Sequence, residues 1–286
     1  MAAWSAPVRS AVPEGDSVYR AARRLDRLAG QVLASSDFRV PHHATADLAG
    51  RMLLPTDTHG KHLLTRVEGG LTVHTHLRMD GSWTVLHPGR RLPRRLEPDV
   101  RLLLVTEQDQ RAAGLKVPVV ELLRTQEEHT VVGHLGPDPL RADWDPAEAV
   151  RRLSARPDRP LAAALLDQRN LAGLGNLWTN ELCFLRGHSP WTLVGAVDLP
   201  RLVDLAARML QFSAHHPVAA QVTTGSTRRG DSHWVSGRAG RRCLRCASAI
   251  QVVAEVLGDP ERRRTWWCPS CQPGPSSPSR HEDCSQ

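Results

Sequence analysis

The sequence predicts an α+β protein: an opening helix with a β-sandwich, then a helical region, then a cysteine-bounded β-hairpin at the C-terminal end. Three observations carry this. Short apolar or alternating runs punctuated by Gly, Pro and Asp fill the first part, as in a sandwich or barrel. From Pro146 onward Ala and Leu recur at spacings of three and four. Two C-x-x-C pairs then close the chain. Its 286 residues suffice for two domains, and 41% apolar content builds ordinary cores, which excludes disorder as the main state.

Taken in order, Val18, Ala21, Ala22, Leu25, Leu28 and Ala29 predict a helix with Asp16 or Ser17 as N-cap and Gly30 as its stop. Strands are expected over residues 32–40, 51–58, 62–67, 71–79, 82–86, 101–106 and 117–122. Residues 136–146, with three prolines and four charges, suit an interdomain linker. Helices are expected over 146–155, 160–168, 175–185 and 198–216. The small, polar, basic stretch 223–235 reads as a mobile loop, and the Ser- and Pro-rich residues 273–286 as a disordered tail.

Charge narrows the function. Thirty-seven Lys and Arg against 30 Asp and Glu give +7, and a pI near 9.7 favours a polyanionic partner, nucleic acid first. Only Lys61 and Lys116 are lysines, so arginine supplies the field. No apolar run approaches the roughly 18 residues of a membrane-spanning helix, and the first twelve residues lack the apolar core of a secretory signal. An intracellular protein is expected, in which paired cysteines bind metal rather than form disulfides.

Cys243-x2-Cys246-x21-Cys268-x2-Cys271 is the strongest local pattern. Each C-x-x-C knuckle presents two thiolates from a tight turn, and two knuckles complete the tetrahedron that one structural Zn2+ requires. Cysteines acting only as small buried hydrophobes explain a lone Cys183 but not two spaced pairs. From Val222 to Gln272 nine arginines face four acids, an excess of +5 on the hairpin segment, which points to phosphate contact. In Ala172-Gly173-Leu174-Gly175-Asn176 the glycines allow close backbone approach just before a helix whose first N–H groups are unpaired, a weak anion-site signal on its own.

The run LLDQRNLAGLGN, residues 165–176, resembles the helix-two-turn-helix of the formamidopyrimidine-DNA glycosylase and endonuclease VIII family, and the four-cysteine hairpin ending CPSCQ resembles that family's zinc finger. Pro13-Glu14-Gly15-Asp16-Ser17 is similar to the start of its mature chain, and Thr58-His59-Gly60-Lys61-His62 and the run His76 to Ser82 match two further motifs, all five in family order. The resemblance implies a catalytic β-sandwich domain over residues 13–136, a helix-two-turn-helix DNA-binding domain over 137–222 and a zinc finger over 237–272. It implies a bifunctional DNA glycosylase and apurinic/apyrimidinic lyase acting on damaged double-stranded DNA. Such an enzyme is expected to be monomeric, free of membrane, and cytoplasmic at the nucleoid.

By the same resemblance, Pro13 attacks C1′ of the damaged nucleotide through its secondary amine, Glu14 protonates the opening sugar, Lys61 contacts phosphate and assists β-elimination, and Arg263 is linked to δ-elimination. Met79 enters the duplex where the base leaves, Arg78 and Asp80 touch the orphaned base, and His76 and Asn176 hold phosphates. A terminal amine titrates at about 8, so it is partly neutral and nucleophilic, whereas a proline nitrogen inside a peptide bond is a non-nucleophilic amide. Residues 1–12 therefore read as an extension ahead of the working N-terminus, with Val12 standing where a GTG start codon would lie. The family often has Tyr before the Gly-Arg leading into the finger; here Ser236 precedes Gly237 and Arg238. The opening residues and the short loop between Thr223 and Trp234 favour the branch that removes oxidised pyrimidines. The rival reading is a non-catalytic zinc-finger DNA-binding or damage-sensing protein, which would use the same arginines and Asn176 without a free proline. An RNA-binding zinc protein is disfavoured by the lack of aromatic stacking strands.

Overall fold

The computed structural model describes residues 13–255 and 263–276. The extension expected over residues 1–12 lies outside them, as do residues 256–262 of the finger and 277–286 of the tail. Helix α1 (Gly15–Leu25) opens the described chain. Its N-cap is Glu14, not Asp16 or Ser17: Glu14 is extended, and its N–H donates to the Ser17 hydroxyl at 2.9 Å. The helix ends at Leu25 and tightens into a 3-10 turn over Asp26–Leu28 before Gly30 takes a left-handed φ of 83°.

Two four-stranded antiparallel sheets follow. Strands β1 (Leu33–Phe38), β6 (Val100–Thr106), β7 (Arg111–Leu115) and β5 (Ser82–Leu86) make the first, in the order β1-β6-β7-β5. Strands β2 (Leu53–His59), β3 (His62–Val67), β4 (Leu71–His76) and β8 (Val119–Arg124) make the second, in the order β2-β3-β4-β8. Leu33, Phe38, Leu63, Val73, Trp83, Leu102, Leu104 and Ala112 fill the space between them together with Val18, Ala22 and Leu25 of α1. The sequence pattern missed β7, whose Ala112, Ala113 and Gly114 carry little strand propensity. Gly114 pairs with Trp83, and a Cβ there would already touch Val117 at 3.3 Å and the Trp83 ring at 3.4 Å, which leaves little space for a longer side chain.

After a four-residue helix α2 (His129–Val132), which the sequence pattern did not signal, come α3 (Pro146–Ser154), α4 (Leu161–Leu166), α5 (Asn176–Arg186) and α6 (Leu199–His215). They enclose a second core of Leu153, Leu161, Leu165, Leu174, Trp178, Leu182, Val203 and Leu210. Residues 136–146 are not a free linker. Gly136, Asp138 and Pro139 are buried, the Gly60 N–H donates to Asp138 at 2.7 Å, and Arg141 pairs with Asp57 at 3.0 Å. Asp16 ties the two cores further: its carboxylate accepts from Ser213 at 2.6 Å and from the Trp178 indole at 3.2 Å.

The finger strands β9 (Gln251–Val253) and β10 (Thr265–Trp267) pair antiparallel. They pack on the helical region through Phe184, Val235, Ile250, Cys243 and Cys268. The loop before them is tied at its exit, because the buried Glu181 accepts from the backbone N–H of Trp234, Val235 and Ser236 at 2.8 to 2.9 Å. Among the described residues no helix is long and apolar enough to cross a membrane.

Candidate active site and nucleic-acid interface

The first turn of α1, the β2–β3 hairpin and the two turns between α4 and α5 meet at one point. Gly15 N–H donates to the Gly173 carbonyl at 2.8 Å, and a Cβ on Gly15 would approach the Gly173 Cα to 2.8 Å. Gln168 braces the turns from inside, donating to the Leu174 carbonyl at 2.7 Å and accepting from Gly173 N–H at 3.0 Å. Asn176 thereby starts α5 with its unpaired amides aimed at α1.

Glu14 occupies that helix N-terminus. Its carboxyl accepts from the backbone N–H of Gly175 at 3.0 Å, Leu177 at 2.8 Å and Trp178 at 3.4 Å. The glycine-rich turn, a weak anion-site signal in the sequence, does receive an anion-forming group, and it is the protein's own Glu14 carboxyl. A Cβ on Gly175 would lie 2.5 Å from the Glu14 carboxyl and 2.7 Å from Lys61 Nζ, so the two side chains share the space over this glycine. Glu14 is 1% exposed, and burial raises its pKa to about 7 against the opposing pull of Lys61 and the amides. Burial likewise lowers Lys61, and Arg263 adds to the lowering while Glu14 resists it. A carboxyl that holds its proton near neutrality beside a buried amine is the pairing that acid-base chemistry needs.

Pro13, half-buried, immediately precedes Glu14. Arg263 stands at the foot of β10, close enough for its charge to act on Lys61, and is ion-paired with Glu255. Asn176 reaches the finger with one of its two side-chain N–H groups, donating to the Arg264 carbonyl at 2.8 Å, and the neighbouring Asn180 accepts from Trp266 N–H at 2.9 Å. His76 accepts from Arg78 N–H at 3.1 Å through Nδ1, and is pushed down to about 4 by burial, then by Lys61. Arg78 takes a left-handed φ of 47° at the turn after β4, and Met79 is 68% exposed at its tip, which removes core packing as the account of that methionine. Sequence reasoning missed His62, His74 and Glu121, which line the same sheet face, and Asp16, Asp138 and Glu181, which hold the parts together. Only the third dimension places these six.

Cys243, Cys246, Cys268 and Cys271 bring their four Sγ atoms within 4.8 Å of one another, with Cys243 to Cys271 at 3.9 Å and Cys246 to Cys268 at 3.4 Å. Sulfurs bound at about 2.3 Å around one tetrahedral ion stand a little under 4 Å apart, so this set fits a single thiolate-bound metal. Arg245 covers the cluster's flank, its guanidinium 4.3 Å from the Phe184 ring centre.

Residues 12–116 match the formamidopyrimidine-DNA glycosylase N-terminal domain, and residues 135–212 the formamidopyrimidine-DNA glycosylase H2TH domain. The chain is 53% identical over 271 residues to a probable endonuclease 8 2 of Streptomyces coelicolor, covering 93% of this chain and 95% of that protein. It is 42% identical over 263 residues to the DNA-(apurinic or apyrimidinic site) lyase Nei2 of Mycolicibacterium smegmatis, covering 91% and 99%. Among solved structures, the Lactococcus lactis Fpg bound to abasic-site DNA shares the fold with a TM-score of 0.72 at 22% identity, over 91% of this chain and all of that one.

Proposed function

Because the chain belongs to the formamidopyrimidine-DNA glycosylase and endonuclease 8 family, a family of DNA-repair glycosylases and lyases, we propose that it excises damaged bases through Pro13 and cleaves the strand at the resulting abasic site. The single observation that carries this reading is the convergence of Glu14, the residue after Pro13, and Lys61 over Gly175. The neutral Pro13 amine attacks C1′, and the base departs as the sugar ring opens. Glu14, still protonated near pH 7, delivers its proton to the ring oxygen. Lys61 holds the adjoining phosphate, and Arg263, a guanidinium that seldom gives up its proton, clamps the phosphate that leaves in δ-elimination. His76 and Asn176 hold further phosphates, Met79 fills the gap left by the flipped base, offsetting part of the few kcal/mol that flipping costs, and Arg78 and Asp80 touch the orphaned base.

The relatives' endonuclease 8 names and the opening Pro-Glu-Gly-Asp-Ser support oxidised pyrimidines as substrates. Residues 13–136 form the catalytic unit, 137–222 the DNA-binding helices and 237–272 a finger holding one structural Zn2+ on its four cysteines. The ion stabilises the hairpin and takes no part in the reaction. The enzyme works as a monomer on nucleoid DNA in the cytoplasm.

The chemistry demands a free Pro13 nitrogen, so the active polypeptide begins at Pro13. The test is borohydride trapping on abasic duplex DNA, with mass spectrometry of the N-terminus of the trapped species. A covalent adduct on chains starting at Pro13 is expected. An adduct on chains that retain residues 1–12 intact overturns the proline mechanism, and no adduct with tight binding favours the damage-sensing reading.

A further inference from the structure

Three strands of the second sheet carry a row of imidazoles for which the reaction above has no role beyond His76. His74 on β4 stands opposite Glu121 on β8, and His76 on β4 stands opposite His62 on β3, so these four side chains share one sheet face. Their contacts have a direction. His74 Nδ1 lies 2.8 Å from a Glu121 carboxylate oxygen, and His74 Nε2 lies 2.8 Å from His62 Nδ1, with the two rings stacked at 5.1 Å. A carboxylate only accepts, so His74 keeps its proton on Nδ1 and offers a lone pair at Nε2. His62 then donates from Nδ1, which leaves its Nε2 as a bare acceptor.

The two ends of this chain differ. Glu121 is half-exposed, whereas His74 is buried. At the other end the His62 ring faces the edge of His76 at 4.7 Å and of His134 at 6.3 Å, on the side where phosphates are expected. Titratable and charged groups surround it from each packed element: His59 at the end of β2, Lys61 in the hairpin, His74, His76 and Arg78 on and after β4, Glu121 on β8, and His134 beyond α2. His59 is held to the Gly136 carbonyl at 2.8 Å. Glu121 is the acid on the row. Burial, then His76 and His74, push His62 down to about 3, so the free enzyme carries this ring neutral at pH 7.

A neutral His62 and a neutral His76 would greet a phosphate differently. His76 receives Arg78 N–H on Nδ1, so its Nε2–H is free to donate. His62 points a lone pair outward, which repels phosphate. One proton added at His62 Nε2 reverses this without breaking a bond: the new N–H donates to phosphate, Nδ1–H stays on His74, and His74 stays on Glu121, whose negative charge supports the imidazolium through the chain. We propose that His62 is a DNA-phosphate ligand loaded by proton uptake, with the His62–His74–Glu121 chain taking one proton from water for each duplex bound. This rests on the DNA-binding reading above.

The test is calorimetric titration of the zinc-loaded protein with a duplex containing a tetrahydrofuran abasic analogue, in buffers of different ionisation enthalpy, from pH 6 to 8.5. The wild type is expected to take up about one proton more than His62→Gln, which keeps a donor toward His74. Its Kd should weaken by up to tenfold per pH unit between the free-state and bound-state pKa values of His62 and level off above the latter, so that the two proteins converge by pH 8.5. Glu121→Gln, at an exposed position, should move that dependence to lower pH. Uptake by Glu14 would survive in His62→Gln, so the difference between the proteins is what counts. Tight binding with identical uptake in both overturns the proposal, as does a loss of affinity that is equal at every pH. Absence of duplex binding at any pH overturns the DNA-binding reading and this inference with it.

Discussion

Burial raises the Glu14 carboxyl to about 7, and that places a limb in the pH profile of excision. The acid acts only while protonated, so its active fraction falls tenfold per unit as pH rises above about 7, and excision itself falls once the amine is fully neutral, above about 8. The Pro13 amine acts only when neutral, and its fraction grows up to about 8. The two requirements cross, giving an optimum between roughly 7 and 8. Glu14→Gln should lower excision by at least about 100-fold, abolish the alkaline limb, and retain part of the nicking at a preformed abasic site. Excision and nicking assays on one oxidised-pyrimidine duplex and one abasic duplex check this. Equal losses on both substrates would assign Glu14 to folding or binding instead.

At the scale of elements, the start of α5 and the β9–β10 hairpin act as two jaws on the same ground. Gly175→Ala places a methyl 2.5 Å from the Glu14 carboxyl and 2.7 Å from Lys61 Nζ. Excision should therefore collapse as both groups shift, with destabilisation on the order of 1–3 kcal/mol by urea titration. Lys61→Ala should weaken excision and nicking alike, since one phosphate contact serves both steps. Arg263 belongs to the other jaw. Arg263→Ala should reduce the salt slope of duplex binding by about 0.9 and shift cleaved ends toward the β-elimination product, read on a sequencing gel. Unchanged ends would remove Arg263 from the chemistry.

Across the whole molecule, the finger and the sandwich have separate sources of stability. The hairpin adds little more than Ile250 and its cysteines to an apolar cluster it shares with Phe184 of α5 and Val235, so the four-cysteine metal site should decide whether it forms. Chelation or Cys268→Ser should abolish measurable duplex binding, because the finger arginines lose their scaffold. The sandwich keeps its Leu63, Val73, Trp83 and Leu102 core, and its melting temperature should move by less than about 5 °C. Metal analysis of the purified protein should give one zinc per chain. A Cys268→Ser protein that binds duplex normally would refute the structural role of the metal.

Local patterns made much of this legible. Alternation and apolar spacing marked β3 and β5 at their observed ends and α3 to α6 within a residue or two, while α1 ends at Leu25, short of the expected stop at Gly30. The cysteine spacing identified the metal set because ligand geometry constrains short segments. Strand β7 escaped since its alanines and glycine answer to Trp83 on a neighbouring strand, not to local propensity. The glycines of residues 173 and 175 announced close approach, but which group approached was invisible: only the docking of α1 onto the α4–α5 turns put Glu14 there, 161 residues away in sequence from Gly175. His62, His74 and Glu121 likewise become a chain only when β3, β4 and β8 pair in register. Local sequence wrote most of the folded segments and the residue types available for the chemistry, because those depend on neighbours along the chain. Tertiary structure alone decided which side chains share a low-dielectric space, and that sharing sets their protonation.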